Sequence, residues 1–288
     1  MDTRFLESFI AVVDQGSIAA AARTLNVTPA AVAQRVRALE NEIGSALVSR
    51  TGRTVSPTEA GLAILDRARS LTRDVRDLQA LASGNEPMGE LRIGATSTGV
   101  SGLLPPVLST LSKRYPAMKV SLRRGHSSEL YRHVLDRQVD VAMVTAPNFS
   151  LPKACDWCEI RREPLVLITP KPIHTADPSA ILRTEPFIRY NQGRWGSTNI
   201  ANYLREVGVR PEERFELDTL DAIVNMVSRG LGVSLIPDFA PPWPEGLSIS
   251  KTLIADTKHE RQIGLIWLRA SARLRLIRAF VQEFSESS

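Results

Sequence analysis

Apolar side chains recur at helical spacing through the first 56 residues, and the breaks between them fall at turn-forming positions. Phe5, Phe9 and Val13, with Leu6 and Ile10 beside them, make one stripe that Gly16 ends. Ser17 suits a cap for the Ala-rich stretch to Leu25, because its hydroxyl can accept from a first-turn N–H. Thr28 followed by Pro29 gives a cap and then the helical position where proline's missing N–H costs nothing. Val32, Val36, Leu39 and Ile43 step by four, three and four, so the third helix is expected to bury that face and present Ala30, Ala33, Gln34 and Arg37 on the other. Two helices joined through Asn26-Val27 make a helix-turn-helix pattern. Arg50-Thr-Gly-Arg53-Thr-Val-Ser56 then reads as a hairpin with glycine at its bend.

From Pro57 to Ala82 the sole breaker is Gly61, and apolar residues at Ile64, Ala68, Leu71, Val75, Leu78 and Ala82 alternate steps of four and three. That rhythm predicts a helix roughly 39 Å long with a coiled-coil seam. Its outer positions, Arg67, Arg69, Arg73, Asp74, Arg76 and Asp77, are charged, which favours a dimerising helix over a surface helix packed on its own domain. Ser83-Gly84-Asn85-Glu86-Pro87 reads as a linker. Beyond it, strand-like runs at 91–95, 119–123, 139–145, 165–169, 187–190, 214–217, 232–237 and 263–268 are separated by helical stretches such as 103–115 and 220–228. The alternation predicts an α/β domain with a largely parallel sheet, in one or two lobes.

Composition narrows the class. A chain of 288 residues, 43% hydrophobic and 23% charged, can bury more than one core. Two cysteines exclude a disulfide-built scaffold, and no apolar run approaches the roughly 20 residues of a membrane helix. The start, with acids at Asp2 and Glu7, lacks the layout of a signal peptide, so a soluble cytoplasmic protein is expected. The net charge of +5 invites a nucleic-acid reading, yet residues 1–86 carry ten arginines and ten acids. Only the window 17–58 is basic, with Arg23, Arg35, Arg37, Arg50 and Arg53 against Glu40 and Glu42.

Gly94-Ala-Thr-Ser-Thr-Gly99 has phosphate-loop glycine spacing, but Val100-Ser101 replaces the required Lys-Ser/Thr, which excludes nucleotide hydrolysis of that type. Ser97 with Asp218 or Asp256 and His259 has the chain order of a hydrolase triad, although a true nucleophile elbow follows several core strands. A better use of these hydroxyls at a helix start is to hold an anion. Cys155-Asp-Trp-Cys158 lacks a second pair, and His126, His133, His174 and His259 are scattered, so neither metal nor redox chemistry is expected. Gly230-Leu-Gly232 lacks the third glycine of a dinucleotide fingerprint; Gly230 is read as capping a helix that ends at Arg229. Arg269, Arg273, Arg275 and Arg278 are read as a solvated helix face.

The N-terminal residues resemble the DNA-binding end of a LysR-type transcriptional regulator. The resemblance rests on Leu6-Glu-Ser-Phe9, Gly16 to Ala22, Leu25-Asn-Val-Thr28, Ala31-Val32, Arg37-Ala-Leu-Glu40, Ile43-Gly44, Arg50-Thr-Gly-Arg53 and Pro57-Thr-Glu-Ala-Gly61. A looser match continues through Leu91-Arg-Ile-Gly94, Leu103-Leu-Pro105, Tyr115-Pro116, Gly125, Val139-Asp140-Val-Ala142, Gly230-Leu-Gly232 and Ile236-Pro237. It implies a winged helix-turn-helix over 1–58, a linker and dimerisation helix with hinge over 59–86, and a two-lobed α/β effector domain like periplasmic binding proteins over 87–288. Such a protein is a sequence-specific DNA-binding transcription regulator modulated by a small-molecule inducer between the lobes, not an enzyme, and needs no cofactor or metal.

Carried over by position, the resemblance places Thr28, Pro29, Ala30, Ala33, Gln34, Arg37, Arg50 and Arg53 at DNA. Pro29, Ala30 and Ala33 replace the family's usual polar residues, which leaves Gln34 and Arg37 for hydrogen bonding and suits the apolar trio to thymine methyls. Ile64, Ala68, Leu71, Val75 and Leu78 fall in the seam of a homodimer or homotetramer. Thr96, Ser97, Thr98, His126, Ser127, Ser128, Thr145, Arg194 and Trp195 fall around a cleft suited to a small carboxylate or other anion, with Arg189 as a second basic side chain from the far lobe. RNA polymerase is a further expected partner. The competing classes are a ligand-independent DNA-binding regulator, a serine hydrolase at Ser97 and a thiol enzyme at Cys155/Cys158.

Overall fold

The computed structural model describes residues 2–51, 54–82, 89–171, 173, 177–191, 193, 195–254 and 257–287, with side chains left aside at 51, 76–82, 257 and 287. The chain divides into two compact units, Met1–Glu86 and Pro87–Ser288.

In the first unit, α1 (Thr3–Gln15) is capped by Asp2 and ended by Gly16 in the left-handed region, φ 61°. Ser17 caps α2 (Ile18–Thr24), and Thr28 caps α3 (Pro29–Ile43) by accepting from the Ala31 N–H. Asn26 makes the turn between them at φ 53°, a conformation its side chain tolerates better than most. Leu6, Phe9, Val12, Ala21, Ala22, Val32, Val36 and Leu39 close the core. Ile43 is exposed, because α3 ends at Gly44 before that turn of helix reaches the core. β1 (Val48–Thr51) and β2 (Thr54–Pro57) pair antiparallel as a wing. The Glu40 carboxylate fixes its base by accepting from the Leu47 and Val48 N–H groups at 2.8 and 3.1 Å. Thr58 then leads into α4 (Glu59–Ala82).

The second unit begins with β3 (Gly89–Ala95), a π turn (Gly99–Leu103) running into α5 (Leu104–Arg114), β4 (Met118–Arg124), α6 (Ser127–Leu135), β5 (Val141–Thr145) and β6 (Cys155–Glu163). It continues through β7 (Leu165–Pro170), α7 (Pro178–Thr184), β8 (Phe187–Tyr190), α8 (Ser197–Glu206), β9 (Glu213–Leu217), α9 (Leu220–Ser228), β10 (Ser234–Pro237) and β11 (Ile249–Leu253). It ends with β12 (Arg261–Leu268) and α10 (Leu274–Ser287). One lobe is built on the sheet β4-β3-β5-β12-β6; the other holds β10-β7-β11 and β8-β9, linked by a Phe187–Val233 bridge. The chain crosses between lobes twice, at Pro164 and between β11 and β12.

The sheets are mixed rather than largely parallel. β3 pairs parallel with β4 and β5, but β12 is antiparallel to both its neighbours and β7 to both of its own. A strand returning from the other lobe enters from the opposite direction, which a pattern of apolar runs does not reveal. β11, with its sequence Ile-Ser-Lys-Thr-Leu, and β6, rich in charge, also lie outside the runs expected from sequence. Arg273 is not on a solvated face: it is buried and donates to Asp140 at 2.9 Å, while Arg92 holds the same carboxylate from β3.

Candidate functional site

In the first unit the outer side of α3 is small and polar. Thr28, Pro29, Ala30, Gln34 and Arg37 are exposed and Ala33 is half-buried, while Val32, Val36 and Leu39 face inward. Pro29 and the alanines let a surface approach the helix closely, and Gln34 and Arg37, three apart, project on one side. Arg50 is exposed on β1; Arg53 lies outside the described residues. At the start of α1 the Arg4 guanidinium holds the Asp2 carboxyl down to about 2.

The α4 stripe is divided between two uses. Ala68 is buried and Ile64 partly buried against Leu6, Phe9, Leu39 and Leu47 of the unit's own core, so Ala68 offers no free face and Ile64 only part of one. One turn further, Leu71 and Val75 are 39% and 37% exposed among charged neighbours. The Leu78 side chain lies outside the described residues.

In the second unit a small cleft, open to solvent on one side, lies between the lobes. Thr96, Ser97 and Thr98 after β3, Gly125 to Ser128 after β4, and Thr145 at the end of β5 line it from the first lobe. Tyr190, Trp195, Gly196, Asp218, Thr219 and Leu220 line it from the second. The topology explains this: strands end at the cleft and helices begin there. The helix leading into α5 starts at Ser97, α6 at Ser127, α8 at Ser197 and α9 at Leu220. First-turn N–H groups have no partner within their helix, and the helix dipole places positive potential on them, so four helix starts around one cleft favour an anion. The Ser127 hydroxyl accepts from the Thr145 N–H at 3.1 Å, and the Thr96 Oγ1 is buried with no partner.

Trp195 reaches across. Its ring lies 5.9 Å from that of Tyr131 and 5.5 Å from that of Phe149, and it packs against the buried cluster around Leu130 and Val134. Tyr131 and Phe149 belong to the first lobe, so three rings bridge the lobes at the cleft; burial raises the pKa of the Tyr131 phenol.

Arg189 does not face the cleft. It pairs with Glu213 on the adjacent strand β9, and burial lowers its pKa. Arg194 lies outside the described residues. The basic residue that does line the cleft is Arg261, at the first position of β12 and 4% exposed. Its Nε donates to the Glu163 carboxylate at 2.7 Å. Beginning the strand at Ile263 left Arg261 out of the expected site, because two successive polar residues, Arg261 and Gln262, carry no strand signal of their own. Thr219 was also legible, as the residue before the helix expected at Leu220.

The residues of the alternative readings are dispersed. His259 packs its ring on Tyr203 and lies 3.0 Å from Glu206, away from the cleft that holds Ser97 and Asp218; Asp256 lies outside the described residues. Cys155 and Cys158 lie three apart on β6, hence on opposite faces of the strand, and burial pushes both thiols up. Among the described residues no three His, Cys, Asp or Glu side chains cluster as metal ligands, and no single helix is long and apolar enough to cross a membrane.

A winged helix-turn-helix joined to a two-lobed α/β domain with an interlobe cleft defines a DNA-binding regulator of the ligand-binding kind. Residues 3–62 match the bacterial regulatory helix-turn-helix of the lysR family, and residues 84–288 match the LysR substrate binding domain. The chain is 34% identical over 242 residues to the HTH-type transcriptional regulator CzcR of Bacillus cereus, covering 83% of this chain and 81% of the relative. It is 31% identical over 238 residues to the regulator YofA of Bacillus velezensis, covering 82% and 81%. Among solved structures, full-length CbnR complexed with its target DNA superposes with a TM-score of 0.72 at 23% identity over all of both chains. A Corynebacterium glutamicum OxyR mutant superposes with 0.65 at 21% identity over 99% and 92%. The chain belongs to the LysR family: it is a LysR-type DNA-binding transcription regulator with a substrate-binding domain.

Proposed function

We propose that this regulator is switched by a small anionic inducer, a carboxylate or a similar oxyanion, held between the two lobes. The observation that carries this reading is the meeting of four helix starts and a row of hydroxyls, Thr96, Ser97, Thr98, Ser127 and Ser128, around one cleft. The working parts are residues 1–58 for reading DNA, 59–86 for joining subunits and 87–288 for sensing. In the first part α3 enters the major groove with Gln34 and Arg37 at base edges, while Arg50 and Arg53 on the wing hold phosphate. The protein acts in the cytoplasm as a homodimer or homotetramer, with RNA polymerase as its downstream contact and without catalysis of its own.

The test is a thermal-shift screen of carboxylates, inorganic oxyanions and neutral polar compounds against the wild type and Thr98→Val, which keeps the volume and removes the hydroxyl. Anions raise the wild-type Tm saturably, and the substitution weakens the effect. Stabilisation by neutral compounds with none from anions overturns the anionic inducer and leaves the family assignment intact.

A further inference from the structure

Arg261 and Glu163 occupy an unusual place in the fold. They are directly opposite each other in the β12–β6 pairing, at the end of the strand leaving the first lobe and the start of the strand returning to it. Both are almost fully buried, at 4% and 1% exposure. The Glu163 carboxylate is heavily used: Oε2 accepts from the Arg261 Nε at 2.7 Å, and Oε1 accepts from the Ala240 N–H at 3.2 Å and lies 3.5 Å from the Arg161 Nε. One carboxylate therefore serves two guanidinium groups, leaving a positive charge in excess. Asp218, the acidic residue among those lining the cleft, is exposed.

Arg261 lines the cleft, and its Nη2 lies 2.5 Å from the Glu163 Oε2, too far out of line for a regular hydrogen bond. The side chain passes Gly196, immediately before α8, so closely that a Cβ there would lie 3.0 Å from its Cδ. The second lobe is thus cut away where the guanidinium runs along the cleft wall. A buried guanidinium with donors poorly aligned to its partner gains most from an acceptor that brings charge, since charge-assisted bonds are the stronger kind and the low dielectric amplifies them.

We propose that Arg261 is the residue that selects an oxyanion in the cleft, its guanidinium shared between the bound group and Glu163, and that Glu163 sets the strength of that selection by competing for the same guanidinium. The proposal rests on the anionic-inducer reading above and adds to it a specific cation and a specific competitor. It makes a prediction opposite in sign to that of a purely structural ion pair. Neutralising Glu163 removes a negative charge next to the bound anion, so it strengthens anion binding; a structural strut, once broken, weakens it.

The experiment titrates the full-length protein with sulfate, acetate, succinate and benzoate at constant ionic strength, following saturable heat release and Tm, with erythritol as a neutral probe. For the anion that binds the wild type most tightly, Arg261→Met weakens binding at least tenfold, Arg261→Lys restores part of it, and Glu163→Gln tightens it severalfold. The double variant E163Q/R261M removes both buried charges and leaves only the partly exposed Arg161 to solvent, so it reports the loss of Arg261 if the single methionine variant does not fold. Equal anion affinity in the wild type and the double variant, or weaker binding by Glu163→Gln, overturns the role of Arg261 while the anionic reading stands. If erythritol or another neutral compound binds and no anion does, both fall.

Discussion

Gly61 in the first turn of α4 lies against the carbonyl of Leu47: a Cβ at Gly61 would sit 2.1 Å from that oxygen. The same stretch is fastened by Thr58, whose hydroxyl donates to the Ala46 carbonyl at 2.7 Å and accepts from the Gly61 N–H at 3.0 Å. The wing and the linker helix are thereby locked to one short segment of chain. Gly61→Ala must push backbone from backbone, with no flexible side chain to give way. A loss of roughly 2–4 kcal/mol of stability is expected from such a clash. Thermal unfolding of the full-length variant checks it, and a Tm within a degree of wild type contradicts the contact.

If Arg50 and Arg53 each hold one phosphate as proposed, replacing either by Ala should lower affinity for operator and random DNA alike and flatten the dependence of log K on log salt by about one unit. Gln34→Ala and Arg37→Ala should instead change sequence preference, each costing about 1–3 kcal/mol of discrimination. Filter-binding titrations over a salt series separate the two groups. A wing variant that alters only sequence preference contradicts its assignment to phosphate.

The division of the α4 stripe predicts unequal effects along it. Leu71→Asp or Val75→Asp places a charge on an exposed apolar surface, so the monomer keeps its fold while association fails; Ala68→Asp puts the charge inside the first unit's own core and unfolds it. Sedimentation at low concentration should show smaller species for Leu71→Asp with Tm near wild type. Unchanged mass means that the subunits meet elsewhere.

Much of this was legible in the chain. Caps at Ser17 and Thr28 and the Gly16 stop are local signals, and local hydrogen bonding decides them. The cleft residues Thr96 to Thr98, His126 to Ser128 and Trp195 came from resemblance, and the structure brings them to one cavity. What escaped was non-local. The antiparallel direction of β12 follows from a return across the lobes, and the pairing of Arg189 with Glu213 from strand neighbours 24 residues apart. Arg273 reads as one of four surface arginines until Asp140, 133 residues away, takes it inward.

Cys155 and Cys158 give a prediction with a definite sign. Burial raises both thiol pKa values in the folded chain, so between the ordinary thiol pKa of about 8.5 and the higher folded value the unfolded chain has lost protons that the folded chain keeps. Stability from this source is full below that range and falls as pH rises through it. Cys155→Ala/Cys158→Ser should show a shallower decline of Tm above pH 8.5 than the wild type. Alkylation of the native protein at pH 7.5 should be slow at both positions, and rapid labelling of Cys155 contradicts its burial.

The aromatic trio gives the last prediction. Phe149 is 45% exposed, yet its ring meets Tyr131 and Trp195 edge-on at 5.5 Å each, tying a loop of the first lobe to a loop of the second. Aromatic pairs of this kind contribute about 0.5–1.5 kcal/mol each beyond the area they bury, and the Phe149–Trp195 pair is the one of Phe149's two that spans the lobes, so Phe149→Ala removes on the order of 0.5–1.5 kcal/mol from lobe closure while Phe149 itself does not line the cleft. A ligand that binds only the closed form then loses that difference, and its affinity falls about two- to tenfold. Phe149→Leu, which keeps bulk without ring geometry, should fall between the two. Trp195 should become more solvent-exposed in the alanine variant, seen as a red shift in emission from a chain whose other tryptophans, Trp157, Trp243 and Trp267, are replaced by Phe. Unchanged emission together with unchanged ligand affinity means that the trio packs at the cleft without holding it shut.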